Sequence, residues 1–198
     1  MPANFIQEQK AEIRDRLFRE GERLARQVGL KKMTISRLTQ ACGIAQGTFY
    51  QFFPSKENFV LAMIGRMNEE EDKQLMQLMN GRKTIPLKEI MEWYRSLFTF
   101  ENNFLLCLTT EDFLWMKTHL SRDMIFNPMQ DMAMAQGLLQ MVEGIREDYD
   151  VGVVVNMIKS IYAMTENQDS FCKEALPMNI SLVFDSLYRY LRKGEEEK

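Results

Sequence analysis

The sequence predicts an all-α fold, and three observations lead to this expectation. Apolar residues recur three and four positions apart through most of the 198-residue chain, which is the spacing of one helix face. Glycine and proline, with 10 and 5 residues, are too few for a chain of short strands and turns. No segment shows the apolar–polar alternation of a half-buried strand. No apolar stretch reaches the roughly eighteen residues that span a bilayer, so no membrane partner is expected.

The first helix is predicted to end at Gly29, since glycine commonly follows a helix C-terminus. Acidic residues stand four positions before basic ones on its exposed face, as in the pairs Glu12–Arg16 and Asp15–Arg19, and such pairs stabilise a helix. Its inward face has four apolar residues at helical spacing: Ile13, Leu17, Leu24 and Val28.

Two short helices and a tight turn are predicted next. Thr34 is a preferred N-cap for the second helix, and Gly43 suits the left-handed residue of a turn. A third helix begins near Ala45 and ends before Pro54. A helix-turn-helix results, within a three-helix domain of residues 1–54. Its core is expected to contain Phe49, Phe52 and Phe53.

A larger helical domain is predicted over residues 55–198, with Ser55 as the N-cap of a long fourth helix. Two final helices, apolar over wide faces, form a helical hairpin. The segments after the fourth helix are Pro86 to Phe100, Phe104 to Leu120, a helix opening at Pro128, about 151–165 and about 178–192.

The charge of the chain is divided unevenly, although the net charge is only −3. Residues 1–60 carry a net charge of +4 and residues 61–198 a net charge of −7, so a polyanion is attracted to the N-terminal end. The three cysteines are far apart and outside any CxxC spacing, so we expect reduced, buried thiols rather than disulfides or a zinc site. The N-terminus lacks a secretory pattern, and a cytoplasmic location is expected.

Three stretches of the N-terminal domain carry a family signature: Gly29-Leu30-Lys31-Lys32-Met33-Thr34-Ile35, Ala41-Cys42-Gly43-Ile44, and Gly47-Thr48-Phe49-Tyr50-Gln51-Phe52-Phe53-Pro54-Ser55-Lys56-Glu57. They resemble the DNA-binding region of the TetR (tetracycline repressor) family, over roughly residues 8–66. The resemblance implies a homodimer in which each subunit places one recognition helix on a palindromic operator. It also implies that a ligand in the C-terminal domain changes the spacing of the two recognition helices.

Nine residues are expected to meet double-stranded DNA. The helix N-terminus at Thr34 and the ammonium of Lys56 suit phosphates, whereas Gln46, Thr48 and Gln51 suit base edges. By the resemblance, Tyr50 bonds a phosphate and Gly47 permits close approach; Gln51 stands where the family often has histidine. The full set is Thr34, Ser36, Arg37, Gln46, Gly47, Thr48, Tyr50, Gln51 and Lys56.

Methionine is unusually frequent, since 14 of the 16 methionines follow residue 61. Flexible thioethers beside aromatic rings favour a largely hydrophobic pocket for a small, lipophilic or aromatic effector. The alternative for each residue is an ordinary place in the core. The candidate pocket residues are Trp93, Phe98, Phe104, Phe113, Trp115, Met129 and Met132.

The last two helices are expected to pack against their copies in a second subunit, giving a four-helix interface. The alternative is that the same residues form the core of one subunit. The candidate interface residues are Val154, Met157, Ile158, Ile161, Phe184, Leu187, Tyr188 and Leu191.

Other classes of protein receive less support. His119 has Glu111, Asp112 and Asp123 near it in sequence, but a single histidine forms no HExxH pair, so neither a metal nor another cofactor is expected. An enzyme is not expected, because no GxSxG, phosphate loop or Cys/His arrangement occurs. A structural helical bundle and an interaction protein with a disused helix-turn-helix remain as alternatives. We expect a repressor that a largely apolar effector releases from its operator.

Overall fold

The structure, a computed structural model, describes residues 7–120 and 127–194, and these are mainly helical, as predicted. The only strands among them are β1 (Ile85–Pro86) and β2 (Val142–Glu143), which pair in parallel. The α-helices are α1 (Gln7–Lys32), α2 (Ile35–Cys42), α3 (Gln46–Tyr50), α4 (Lys56–Met79), α5 (Leu87–Leu97), α6 (Thr110–His119), α7 (Pro128–Gln140), α8 (Val151–Glu166) and α9 (Leu176–Leu191).

The chain divides into two compact units. The first unit contains Met1–Glu70 and Cys107–Ser121, and the second contains Glu71–Leu106 and Arg122–Lys198. This division differs from the predicted boundary after residue 54 in two ways. Helix α4 begins in the first unit and ends in the second, and α6 packs against α1 although about eighty residues separate them in sequence.

Aromatic rings fill the core of the first unit. Phe18, Phe49, Phe53 and Phe59 are buried, and their ring centroids lie 5.0 to 5.9 Å apart. The prediction of a core position is confirmed for Phe49 and Phe53, whereas Phe52 is only partly buried. Gly21 faces this cluster so closely that a Cβ there would lie 2.6 Å from Phe59 Cζ.

Helix α1 is interrupted where the sequence predicted its end. Gly29 has a φ of +81°, which glycine adopts without the steric cost of a side chain, and the chain then makes one further turn to Lys32. The predicted pairs on the exposed face are present: Arg16 Nη2 lies 3.0 Å from Glu12 Oε1, and Arg19 Nη1 lies 2.6 Å from Asp15 Oδ2.

The second unit has its own apolar core between α5, α8 and α9. Five of the candidate interface residues are buried in it, so their assignment to a dimer interface is corrected: Val154, Ile161, Phe184, Leu187 and Leu191. The reason is that α9 packs against α5 and α8 of the same chain, while α8 packs against α7 and α9. The other three candidates pack partly buried against this cluster: Met157, Ile158 and Tyr188.

The seven candidate pocket residues are divided between the two units. Met129 and Met132 project from α7 with exposed fractions of 84% and 46%, because only Leu139 of this helix is buried. Phe113 and Trp115 are on α6 and therefore belong to the first unit. The remaining three lie in the second unit, two of them buried and one partly buried: Phe98, Phe104 and Trp93.

The cysteine expectation holds for one residue of three. Cys42 is buried, and burial together with repulsion from Glu20 raises the pKa of its thiol to about 11. Cys107 is partly exposed and Cys172 is exposed, so the expectation of burial is wrong for these two. All three are free thiols. In the ranges that the structure describes, no helix is long and apolar enough to cross a membrane.

Candidate nucleic-acid interface

Thr34 is the N-cap of α2, as its position in the sequence predicted. Its backbone is extended, and its Oγ1 accepts a hydrogen bond from the backbone N of Arg37 at 3.2 Å. The hydroxyl therefore acts as an acceptor within the protein, and its hydrogen remains able to donate to a phosphate oxygen. The cap takes the amide of Arg37, and the amides of Ile35 and Ser36 at the start of α2 are the ones suited to an anion.

A glycine turn joins α2 to α3. Gly43 has a φ of +66°, and its N–H donates to the carbonyl of Gln40 at 3.1 Å. The N–H of Ile44 donates to the carbonyl of Thr39 at 3.0 Å, which completes the end of α2. Leu38 and Cys42 anchor the inner side of α2 in the core.

Helix α3 has one buried and one exposed side. Phe49 is fully buried, whereas Gln46, Gly47 and Gln51 are exposed and Thr48 is partly exposed. The Cβ position of Gly47 has no other atom within 4 Å, so packing within the protein does not require a glycine there. A short helix that is held by one ring and presents amides and a bare glycine outward is suited to a groove.

Tyr50 ends α3 with its ring at the surface. Its exposed fraction is 53%, and the ring meets Phe49 edge-on with the centroids 5.6 Å apart. Ser36 and Arg37 are exposed on α2. Among the residues that the structure describes, Arg37 forms no ion pair, in contrast to the paired arginines of α1. Its charge is therefore not neutralised by a neighbouring carboxylate.

Lys56 makes contacts within the protein besides the role that the sequence predicted. Its Nζ donates to the backbone carbonyl of Lys31 at 3.2 Å and lies 4.3 Å from the ring centroid of Trp115. Burial lowers the pKa of the half-buried Lys56 ammonium, which is directed into the protein. The ammonium thus has two contacts within the protein that the sequence did not predict, and its phosphate contact stays a prediction.

Of the acidic residues near His119, the described Glu111 and Asp112 do not form a metal site with it. His119 Nδ1 lies 2.8 Å from Thr118 Oγ1 and 3.0 Å from the carbonyl of Trp115, and the imidazole stacks on the Trp115 ring. Asp123 lies outside the described residues. Within the described ranges, no group of three potential ligands from His, Cys, Asp and Glu is placed to hold a metal ion.

Asp112 has a structural role that the sequence analysis did not predict. It is buried with an exposed fraction of 2%, and its Oδ1 accepts from the backbone N of Lys31 at 2.8 Å. The available signal was the spacing Thr109-x-x-Asp112, which is a capping-box pattern and is realised as one at the start of α6.

The N-terminal region of the chain is similar in sequence to known proteins. The model of the family "Bacterial regulatory proteins, tetR family" matches residues 17–63. The HTH-type transcriptional repressor NemR of Escherichia coli (strain K12) is 30% identical over 84 residues, which is 42% of this chain and 42% of NemR. The aligned segment thus spans less than half of that relative.

Two solved structures share the fold across nearly the whole chain. The crystal structure of reduced E. coli NemR has a TM-score of 0.66 at 17% identity, covering 92% of this chain and 98% of that one. The regulatory protein TetR from Rhodobacter sphaeroides has a TM-score of 0.63 at 15% identity, covering 89% and 97%. At these identities the likeness concerns the fold.

Helices α2 and α3 with the turn between them have the form of a helix-turn-helix, and the chain has a second helical unit besides the one that contains them. Residues 17–63 match the model of the tetR family of bacterial regulatory proteins, in the region where the N-terminal signature predicted a resemblance. Its relatives are transcriptional regulators, a class distinct from enzymes.

Proposed function

We propose that this protein is a transcriptional repressor that binds a palindromic operator as a homodimer and is released by a small, largely apolar effector. The observation that carries the proposal is the two-sided helix α3. Buried Phe49 holds it, the turn at Gly43 directs it, and its outer side presents Gln46, Gly47 and Gln51. This exposed surface suits DNA binding, and repression is the activity of the relative that the chain resembles. We expect the protein to act in the cytoplasm.

The DNA contacts divide into two groups by chemistry. The cap hydroxyl of Thr34, the amide of Ser36, the guanidinium of Arg37 and the phenol of Tyr50 suit phosphate oxygens and position the domain. The amides of Gln46 and Gln51 suit adenine, and the methyl group of Thr48 suits a thymine methyl. Gly47 allows the α3 backbone to approach the groove closely.

Two copies are needed to read a palindrome, and the outer side of the last helix offers an apolar face for pairing. Met178 and Leu182 of α9 are four residues apart and therefore share a face, with exposed fractions of 64% and 50%. Val153 of α8 is exposed as well. These residues replace the five buried candidates in the proposed dimer interface.

An aromatic group within the second unit supports an apolar or aromatic effector. Trp93 stacks on Tyr94 with the centroids 5.9 Å apart, and Tyr94 meets Phe98 at 5.3 Å. Trp93 Nε1 is buried and has no hydrogen-bond partner among the described residues. A buried donor without a partner favours a ligand that carries one acceptor on an otherwise apolar body. An open groove of about 360 Å³ belongs to the first unit and contains none of these rings. It is lined by Arg23, Leu24, Val28, Arg37, Gln40 and Ala41.

The test is selection of bound sequences from random duplex DNA by the purified full-length protein. We expect a palindromic consensus for the wild type and no enrichment for Leu182→Glu, which places a charge on the proposed interface. Gln140→Glu, which adds the same charge at the exposed last residue of α7, is the matched control and should retain the consensus. An interaction protein with a disused helix-turn-helix would enrich no sequence. Hydrophobic compounds are then added to the complex, and one that raises the Tm of the free protein should release the DNA.

A further inference from the structure

Lys31 lies at the junction between α1 and α2 and is held through three of its polar groups. Its backbone N donates to Asp112 Oδ1 at 2.8 Å, and its carbonyl accepts from Lys56 Nζ at 3.2 Å. Its side-chain Nζ lies 3.1 Å from Glu111 Oε2. Two of the partners belong to α6 and one to α4, so segments distant in sequence determine where the chain leaves α1.

The carboxylate of Asp112 is fully engaged in this junction. Its Oδ2 accepts from the backbone N of Thr109 at 3.0 Å and from Thr109 Oγ1 at 2.7 Å, while Oδ1 accepts from Lys31. A carboxylate with an exposed fraction of only 2% needs such donors, because an unpaired buried charge is strongly unfavourable. The buried position is thus specific to this set of partners.

Helix α1 is shaped to admit the carboxylate. A Cβ at Gly29 would lie 2.4 Å from Asp112 Oδ2 and 2.6 Å from Oδ1, which is far inside contact distance. The φ of +81° at Gly29 also turns the chain at this point. Gly29 and Asp112 therefore fit each other across the interface between α1 and α6, within the first unit.

The same helix also holds the other end of the helix-turn-helix. Trp115, one turn beyond Asp112 on α6, faces the ammonium of Lys56 at 4.3 Å from its ring centroid. Lys31 precedes the two short helices and Lys56 follows them in the chain. Helix α6 thus contacts both segments that flank α2 and α3, without contributing a residue to the exposed surface proposed to meet DNA.

We propose that Asp112 is a positioning residue for operator recognition. By holding the amide of Lys31 it sets the direction of the chain toward Thr34, and with it the placement of α2 and α3 on the operator. The inference rests on the proposed function. Asp112 does not touch DNA, so its effect is on specific binding and not on the attraction between cationic side chains and phosphates.

The experiment uses Asp112→Asn in the full-length protein carrying Trp93→Phe, which leaves Trp115 as the only tryptophan of the chain. Asparagine keeps the size of the side chain but turns one acceptor into a donor, which faces either the Lys31 amide or Thr109. Operator affinity should fall about tenfold or more, within the usual range of coupling between sites. Affinity for an unrelated duplex at low salt should be unchanged, and Trp115 emission should move to longer wavelength.

Glu111→Gln is the matched control, since it removes the same charge from the adjacent residue of α6, where the carboxylate is exposed. Its operator affinity should stay within about twofold of the parent, as exposed ion pairs contribute little. Trp115→Leu is the second variant, because it leaves the buried Asp112 carboxylate and its donors in place and removes the ring that faces Lys56. It should also weaken operator binding and leave the salt dependence unchanged.

Several results would overturn the inference. Operator affinity of Asp112→Asn within about twofold of the parent would do so, as would equal losses for operator and unrelated duplex, which indicate general unfolding. If Asp112→Asn does not fold, wild-type affinity of Trp115→Leu has the same consequence. A parent protein that selects no operator would instead refute the proposed function, and the inference with it.

Discussion

Replacing Tyr50 by phenylalanine removes a single hydroxyl from the proposed DNA surface. The ring is half exposed and meets Phe49 edge-on at 5.6 Å, a contact that phenylalanine reproduces. Among the described residues the hydroxyl has no hydrogen-bond partner, so the fold does not depend on it. The free energy of unfolding should therefore change by no more than about 0.5 kcal/mol.

The effect on binding follows from the partner that the hydroxyl is expected to have. A hydrogen bond to a charged group contributes about 1.5–3 kcal/mol, and about 1.4 kcal/mol corresponds to a tenfold change in affinity. Tyr50→Phe should thus weaken operator binding by about ten- to a hundredfold. Because the phenol is neutral, the slope of log K against log salt concentration should not change.

The assay is a salt titration of operator binding followed by fluorescence anisotropy, with Arg37→Gln measured in parallel. Arg37 is an exposed cation one turn after the Thr34 cap, and its loss should lower the steepness of the salt dependence by about 0.9. Unchanged affinity of Tyr50→Phe would refute the phosphate contact. A changed slope for this neutral substitution would refute the reasoning about its mechanism.

Three further predictions concern proton linkage, packing and base reading. Burial and repulsion from Asp72 raise the pKa of Glu71 from 4.5 to about 7, so the free energy of unfolding should fall as the pH rises through this window. In urea denaturation, Glu71→Gln should therefore be more stable than wild type by up to about 3 kcal/mol near pH 8 and equal to it near pH 4. Gly21→Ala places a Cβ against Phe59 and should lower the free energy of unfolding by about 1–3 kcal/mol; a thermal melt equal to wild type would contradict this. Gln46→Ala should broaden the consensus selected from random DNA, and an identical consensus would exclude base reading by Gln46.

The helix-turn-helix was predictable because its signals are local. The cap at Thr34 and the left-handed glycine at Gly43 each depend on a few neighbouring residues, and both appear as expected. The break at Gly29 is also local, although α1 resumes for one turn after it. Such signals require no knowledge of what packs against the helix.

The residues that were misassigned depend on packing between distant segments. Periodicity identifies the apolar face of α9, but it does not show whether α5 or a second subunit covers that face; Phe184 and Leu187 lie against the former. In the same way, Trp115 has the composition of a pocket residue but packs with Lys56 in the first unit. Methionines such as Met129 are exposed, since an amphipathic pattern is weak in α7.

The internal contacts of Lys56 could not be predicted from its place at the start of α4. They depend on the carbonyl of Lys31 at the end of α1 and on the ring of Trp115 on α6, both distant in sequence. Asp112 is the complementary case, because the capping-box spacing predicts a cap but not the amide of Lys31 as an additional donor.

Methylation interference on the selected operator tests most directly whether α3 enters the major groove. Dimethyl sulfate modifies guanine N7 in the major groove and adenine N3 in the minor groove. Insertion of α3 predicts that N7 methylation of guanines next to the bases read by Gln46 and Gln51 abolishes binding in two symmetric half-sites. Interference confined to adenine N3, or none at either groove, would contradict the account.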